Sequence, residues 1–400
     1  MSYKDDFKIL NSNIIYFDNG ATTLKPNSVI EKMNDYYYNY PSNAHRGDYS
    51  LSLKASKEYE DTREVVKEFI NAKNKEEIIF TSGSTESLSM IVYGYFKNKL
   101  KENDEVLITK GEHASNILPW FDLEKKIGIK VKFVPLNEDY SFNIENLKNM
   151  ITDKTKVVSL AETTNVIGDT RDVKEIAKIC HDNNALFVVD AAQSAGHKKI
   201  DVSDLDIDFM AISAHKMLGP TGIGVLYGKK ELLNEIDFDK KGGGTTISFD
   251  DSKNIVYKEL PYKLEAGTQN IAGVIGLREA INYINKVGLE YIEEYTHNLK
   301  KYLVSKLKDL DNVIIYNENV EGNTVTFNID GVFAQDVAIY LDKYNICVRS
   351  GDHCDKKLSD ELGIKNTVRV SLYFYNTKEE CDVLVDALNN KNILEESIGI

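Results

Sequence analysis

From Ile78 to about Lys230 the chain alternates between two textures. Short runs rich in β-branched and aromatic residues (EEIIF, EVLIT, KVKFVPL, KVVSLA, ALFVVD, DFMAIS, GIGVLY) read as strands. Between them, residues 86–98, 120–127 and 172–183 space their apolar positions near the helical period. This rhythm predicts an α/β layer fold around a mainly parallel or mixed sheet.

After Lys230 the texture changes. Residues 241–262 are polar, hold the triplet Gly242, Gly243, Gly244, and read as an extended surface or active-site segment. Residues 270–310 read as two long helices, residues 323–372 return to strands (TVTFNI, NICVRS, TVRVSLYF), and residues 377–388 read as a last helix. A boundary near Gly267 divides the chain into a large domain, 16–266, and a small one, 267–400, which residues 1–15 are expected to join. A chain of 400 residues buries about three quarters of its extended surface, enough for one or two domains.

Composition narrows the function. With 63 acidic against 49 basic side chains the formal charge is -14, which argues against a general binder of nucleic acid or anionic membrane. No apolar run approaches the roughly 20 residues that cross a bilayer. The start MSYKDDFKILNSNIIYF has no basic-then-apolar signal pattern, so a cytoplasmic location is expected. Four cysteines, none in CxxC spacing, do not make a disulfide scaffold, so any that matters does so singly. There is no HExxH motif and no grouped His/Cys set, so no metal site is expected.

In doubly wound sheets ligands sit beyond the carboxyl ends of the strands. Reading those ends in order collects residues 81–85 (TSGST), 110–113, 163–165, 190–193 (DAAQ) and 213–216 on one rim. TSGST, with Ser84 and Thr85, opens a helix whose free amides suit an anion, although Ser and Thr also serve as plain helix caps. Asp190 ends the apolar strand LFVVD. It is either a turn carboxylate or a buried one that needs a protonated partner such as a cofactor ring nitrogen. Lys216, in AISAHKMLGPTGIGVLYGKK, is either a solvated turn lysine or a shielded amine able to form an imine with an aldehyde. Its company on the rim favours the second reading.

His113 follows strand EVLIT, where an imidazole can stack on a heteroaromatic ring. His45 and Arg46, in SNAHRG, are placed to reach the cleft from another segment or subunit. In the second region, Cys354 lies in VRSGDHCDKKL among polar neighbours, the setting of a reactive thiolate, unlike Cys180, Cys347 and Cys381. There His353, Lys356 and Lys357 favour the thiolate while Asp352 and Asp355 oppose it. Arg349 and Arg369 have strand-like spacing. If buried, Arg369 must find an anion, either a substrate carboxylate or a structural partner.

SNAHRG, TSGSTE, GEHASNILPW, DAAQSAGH, SAHKMLGPTGIGVLYGK, KLEAGTQN, VRSGDHC and VRVSLYFYNTKEE follow one another over nearly all of the chain. In this combination the sequence resembles the pyridoxal-phosphate-dependent cysteine desulfurases of the SufS type, in the class V aminotransferase group. The resemblance implies the type I fold of these transferases: a large domain with a mainly parallel seven-stranded sheet and a smaller α+β C-terminal domain. It implies pyridoxal 5'-phosphate as cofactor and L-cysteine as substrate, converted to L-alanine through cofactor aldimine and ketimine, with the sulfur passed to an enzyme persulfide.

By the same resemblance Lys216 holds the cofactor and moves the substrate Cα proton. Asp190 pairs with the ring nitrogen, His113 stacks on the ring and Gln193 meets the ring hydroxyl. Ser84, Thr85, Ser213 and His215 hold the phosphate, with Thr268 reaching across a homodimer. Asn165 and Arg369, with Arg349, His45 and Arg46, orient the substrate, and Cys354 takes the sulfur. A small sulfur-acceptor protein and iron-sulfur cluster assembly are implied in the same way.

Two segments depart from the family pattern. RTGHHCA becomes RSGDHCD, adding Asp352 and Asp355 beside the thiol, and HVSN becomes ETTN, with Glu162 where a histidine is usual. The added carboxylates are expected to disfavour a thiolate by like charge. Alternatives at this point are a selenocysteine lyase or another β-eliminating lyase, and a non-catalytic scaffold.

Overall fold

The seven apolar runs of the first region all become strands of one sheet. The computed structural model describes residues 3–398 apart from 238, 364, 391 and 392. A short strand β1 (Ile15–Tyr16) precedes β2 (Ile78–Thr81), β3 (Glu105–Ile108), β4 (Lys130–Phe133), β5 (Thr155–Ala161), β6 (Leu186–Asp190), β7 (Phe209–Ser213) and β8 (Gly224–Gly228). Strands β2 to β8 pair in the order β2-β8-β7-β6-β5-β3-β4. All are parallel except β8, which opposes both its neighbours.

Alternate residues of each strand point to opposite faces. Phe80, Leu107, Val158, Val189, Met210 and Ile212 enter one apolar core, and Ile79, Val106, Val157, Val188, Phe209 and Ala211 enter another on the other face. Helices cover both sides, which is why central strands are apolar throughout. Edge strand β4 instead carries the partly exposed Lys130 and Lys132, which discourage pairing with further strands.

The polar stretch after Lys241 contains a hairpin of β9 (Thr246–Phe249) and β10 (Ile255–Tyr257), antiparallel and exposed at Ile247, Phe249 and Val256. The last region supplies β11 (Val313–Ile315), β12 (Thr324–Ile329), β13 (Ile346–Cys347), β14 (Arg349–Gly351) and β15 (Thr367–Ser371). Four of these form an antiparallel sheet in the order β11-β12-β15-β14, in which Arg349 and Arg369 face each other. Its core is built by Phe17, Leu303, Val325, Phe327, Tyr340 and Val370 among others.

β1 pairs in parallel with β13, and Asp18 bridges Ser371, so the N-terminal segment runs along the small sheet before turning into the cleft. Two long helices, Ile271–Val287 and Leu289–Leu307, meet at Gly288, whose φ of +95° suits glycine. Among the described residues no helix is long and apolar enough to cross a membrane.

Candidate active site

The glycines around Lys216 are steric necessities. A Cβ on Gly219 would lie 2.9 Å from Ala214, and Gly222 has φ +71°. A Cβ on Gly224 would lie 2.5 Å from the Cα of Gly83. The turn can therefore fold back as β8 and let the loop after β2 settle onto the sheet. That loop enters a helical run at Ser84, two residues ahead of the predicted start. The Ser84 amide donates to Ser213 Oγ at 2.9 Å, the Ser84 and Ser213 hydroxyls meet at 2.8 Å, and Thr85 Oγ1 meets Ser115 Oγ at 2.8 Å. The first-turn amides beyond Ser84, beside four hydroxyls, give a cradle suited to an anion.

The cradle opens on a cavity of about 220 Å³. Its walls include Lys216, Asp190, His113, Gln193, Asn165 and His215, and its far side carries Arg349, Arg369 and His353. Asp190 is buried at the end of β6 and accepts from the Ala192 amide at 3.0 Å. Burial raises its pKa to about 6 against that hydrogen bond and the Lys216 charge. Burial also lowers Lys216 to about 8, with Asp190 opposing and Arg369 and Arg349 assisting. Among the described residues nothing hydrogen-bonds the Lys216 amine.

A lysine amine is nucleophilic only when neutral, so loading with pyridoxal phosphate is expected to accelerate as pH rises through about 8. Stopped-flow visible absorbance checks this. A midpoint near 10.5 would show a solvated amine.

His113 Nδ1 accepts from the Ser115 amide at 3.2 Å, which leaves the ring proton on Nε2. Burial, then the Lys216 charge, lowers its pKa to about 4, so the ring is neutral. Gln193 Nε2 donates to Gly20 O at 2.9 Å. The His215 carbonyl accepts from Lys25 Nζ at 2.9 Å and from the Thr23 amide at 3.0 Å, which ties the N-terminal segment to the Lys216 turn.

Arg369 is buried, donates to Asn165 O at 2.9 Å and to Asp18 Oδ1 at 3.2 Å, and has an unpartnered Nε. Burial lowers its pKa to about 10, opposed by Asp18. Two guanidiniums facing one carboxylate leave a net positive wall for a small anion. A free amine, a carboxyl, a flat neutral imidazole and an anion cradle in one cavity match the aldehyde, ring nitrogen, ring face and phosphate of pyridoxal phosphate.

Cys354 is exposed, one residue beyond His353, and close enough for its charge to act on Lys216 and Arg369. Its amide donates to Asp352 Oδ1 at 3.0 Å. Two expected neighbour effects are corrected. His353 lends no positive charge, because burial and the two arginines push its pKa down to about 3. Asp355 adds no negative charge, because burial raises its pKa well above the carboxylate range. Glu162 turns away from the cavity, accepting from Ser194 Oγ at 2.6 Å and pairing with Lys198 at 3.2 Å.

His45, Arg46 and Thr268 are not brought to the Lys216 cavity within the chain. His45 pairs with Glu60 at 3.1 Å and Arg46 lies against Gly244, both lining a separate small cavity with Asn43, whose Nδ2 donates to Thr268 Oγ1 at 3.3 Å. Sequence reasoning missed Asp18, Gly20, Ala21 and Ser115. The signal for the first three was a strand followed by an Asp-Asn-Gly turn in IIYFDNG.

The pattern of the Aminotransferase class-V family matches residues 15–384. The chain belongs to this family. A relative from Halalkalibacterium halodurans named "Probable cysteine desulfurase" is 44% identical over 383 residues, covering 96% of this chain and 94% of the relative. The apo structure of a cysteine desulfurase from Thermococcus onnurineus NA1 superposes with a TM-score of 0.93 at 38% identity, covering 100% of this chain and 99% of that one. The cysteine desulfurase CsdA (S-sulfonic acid) from Escherichia coli superposes with a TM-score of 0.92 at 33% identity, covering 98% of each chain.

Proposed function

We propose that this class-V chain is a cysteine desulfurase that uses pyridoxal phosphate on Lys216 to convert L-cysteine to L-alanine, keeping the sulfur as a persulfide on Cys354. One observation carries this reading: the Lys216 amine, without a hydrogen-bond partner among the described residues, and buried Asp190 share a cavity lined by His353, the chain neighbour of the exposed Cys354. Pyridoxal phosphate, when bound, supplies an electron sink conjugated to the substrate Cα.

The chain's own groups do the rest. Asp190 would face the ring nitrogen and favour its protonated form, and the neutral His113 imidazole would cover the ring. Arg369, assisted by Arg349, takes the substrate carboxylate and fixes Cα near Lys216. Lys216 removes the Cα proton. The Cys354 thiolate then attacks the substrate sulfur. An S–S bond forms as the Cβ–S bond breaks, and the electron pair left on Cβ ends as a C–H bond of alanine. One thiol and one cysteine give one persulfide and one alanine, so no outside oxidant is required.

His45, Arg46 and Thr268 cluster with Asn43 on a patch apart from the cavity. This supports a homodimer in which each chain completes its partner's phosphate and substrate sites. An exposed Cys354 suits transfer to a small sulfur-acceptor protein, with iron-sulfur cluster assembly in the cytoplasm as the setting.

The test is a single turnover with L-cysteine and no added thiol. One alanine per chain is expected, with one extra sulfur on the Cys354 peptide by mass spectrometry. Alanine formed with free sulfide and an unmodified Cys354 would overturn the assignment.

A further inference from the structure

Residue 355 is one of the positions where this chain departs from the family pattern, carrying a carboxyl where alanine is usual. It follows an unusual turn. His353 (φ +55°) and Cys354 (φ +61°) are consecutive left-handed residues, a conformation that side chains disfavour and that lasts only where neighbours enforce it. Two groups outside the turn grip it: Asn165 Nδ2 donates to His353 O at 2.9 Å, and the Ala114 amide donates to Cys354 O at 3.0 Å.

Asp355 closes the other side. Its amide donates to Asp352 O at 2.8 Å, and its Oδ1 caps helix Lys356–Leu362 through the Leu358 amide at 3.2 Å. Leu358 packs with Val166, Ile167 and Val320, so this cap is the joint between the thiol turn and a docked helix.

The joint is dry. Asp355 is 1% exposed, and its Oδ2 is buried without a hydrogen-bond partner among the described residues. An ionised carboxylate so placed is costly. The charged groups acting on it are Glu112 and Arg171 from the large domain and Asp352 from the turn, while Lys356 and Lys357 on its own helix are exposed. Arg171 is already paired with Glu112 and gives Asp355 no free counter-charge. Burial is the main cause that keeps the carboxyl protonated, with Glu112 and Asp352 adding to it against the Leu358 amide and Arg171.

We infer that Asp355 is a positioning residue: as a buried neutral carboxyl it latches the Cys354 turn shut, and it ionises into solvent when the turn swings out with its persulfide. The persulfide rests on the function proposed above, whereas the latch is a property of the resting protein. The closed turn holds a proton that the open turn releases. Above the ordinary carboxylate range, opening is therefore favoured as pH rises, by up to about tenfold per pH unit until the closed form also ionises.

Asp355→Asn keeps the shape and the Oδ1 acceptor but cannot ionise. The test uses protein loaded with pyridoxal phosphate, without substrate. Amide hydrogen exchange of the peptide that contains Leu358, whose amide the closed joint protects, is followed from pH 6 to 9 in the wild type, Asp355→Asn and Asp355→Ala. The intrinsic pH dependence of exchange is common to all three, so the ratio of wild type to Asp355→Asn isolates the latch. That ratio is expected to rise at least about threefold across the range, and Asp355→Ala, lacking the cap, to exchange fastest at pH 6. A flat ratio overturns the latch. So does a falling one. Should Asp355→Ala not fold, the Asp355→Asn ratio decides alone. No turnover is involved, so a failed latch and a failed desulfurase assignment give separate results.

Discussion

Lys216→Ala is expected to lower alanine formation from L-cysteine by about 10³-fold or more, the scale of a lost general base at a reacting carbon. The fold is expected to survive the change. The amine has no hydrogen-bond partner among the described residues, so truncation strands no polar group and only enlarges a cavity that is already open. Asp190 loses the nearby cation that opposes its raised pKa, so that pKa is expected to rise further. Lys216→Arg is the informative control. A guanidinium keeps the charge but does not become a neutral nucleophile near pH 8, so it is not expected to restore activity. Alanine is measured by amino-acid analysis, with circular dichroism for the fold. Activity within tenfold of the wild type in Lys216→Ala would remove the lysine from the chemistry.

What makes Lys216 legible also makes the large sheet legible. Parallel strands covered on both faces are short apolar runs, and each of the seven named runs is a strand. Once strands alternate with helices, the ends of parallel strands must lie on one rim, so the order of the chain alone groups Asp190, Ser213 and the Thr81–Thr85 stretch. The first turn of helix Ala114–Ile127 falls outside the helix that apolar spacing predicts, because Pro119 normally stops a helix. The hairpin β9–β10 reads as surface, since its short strands are exposed and lack a clean alternation.

The electrostatics around Cys354 are not legible in the sequence, because burial there is decided by contacts distant along the chain. Asp355 and His353 stand among polar neighbours and read as charged. Leu358, docking on Val166 and Val320, draws the first under cover, and Thr367 holds the ring of the second at 2.9 Å. Glu162 is a similar case. It stands just past the end of β5, where strand alternation no longer fixes a direction, and the Ser194 hydroxyl and Lys198 ammonium hold it. Asp18 and Gly20 enter the site through the pairing of β1 with β13, which joins residues more than three hundred positions apart.

Glu265→Ala is expected to destabilise the protein by about 3–5 kcal/mol, the usual cost of leaving one member of a buried ion pair alone. Glu265 receives four donors: Arg63 Nη1 at 2.8 Å, Arg63 Nη2 at 2.9 Å, Tyr59 OH at 2.9 Å and the Phe80 amide at 2.8 Å. Arg63 has no exposure at all. Burial pushes its pKa down, and the Glu265 carboxylate more than offsets that and keeps the guanidinium charged. Truncation leaves this cation, among the described residues, with the Ile78 carbonyl, the half-buried Glu60 and the faces of the Tyr59 and Phe80 rings, but without its buried carboxylate. For 400 residues at ~2.1 cal/mol/K each, 4 kcal/mol corresponds to a fall in Tm of about 5 °C. The exposed pair Lys174–Asp204 is the control, and Asp204→Ala is expected to shift Tm by less than about 1 °C. The Phe80 amide lies on β2, directly before the anion cradle, so Glu265→Ala is also expected to loosen cofactor phosphate binding. Calorimetry with and without pyridoxal phosphate separates the two effects. An unchanged Tm in both would mean that Arg63 finds another partner and that this cluster does not anchor the cradle.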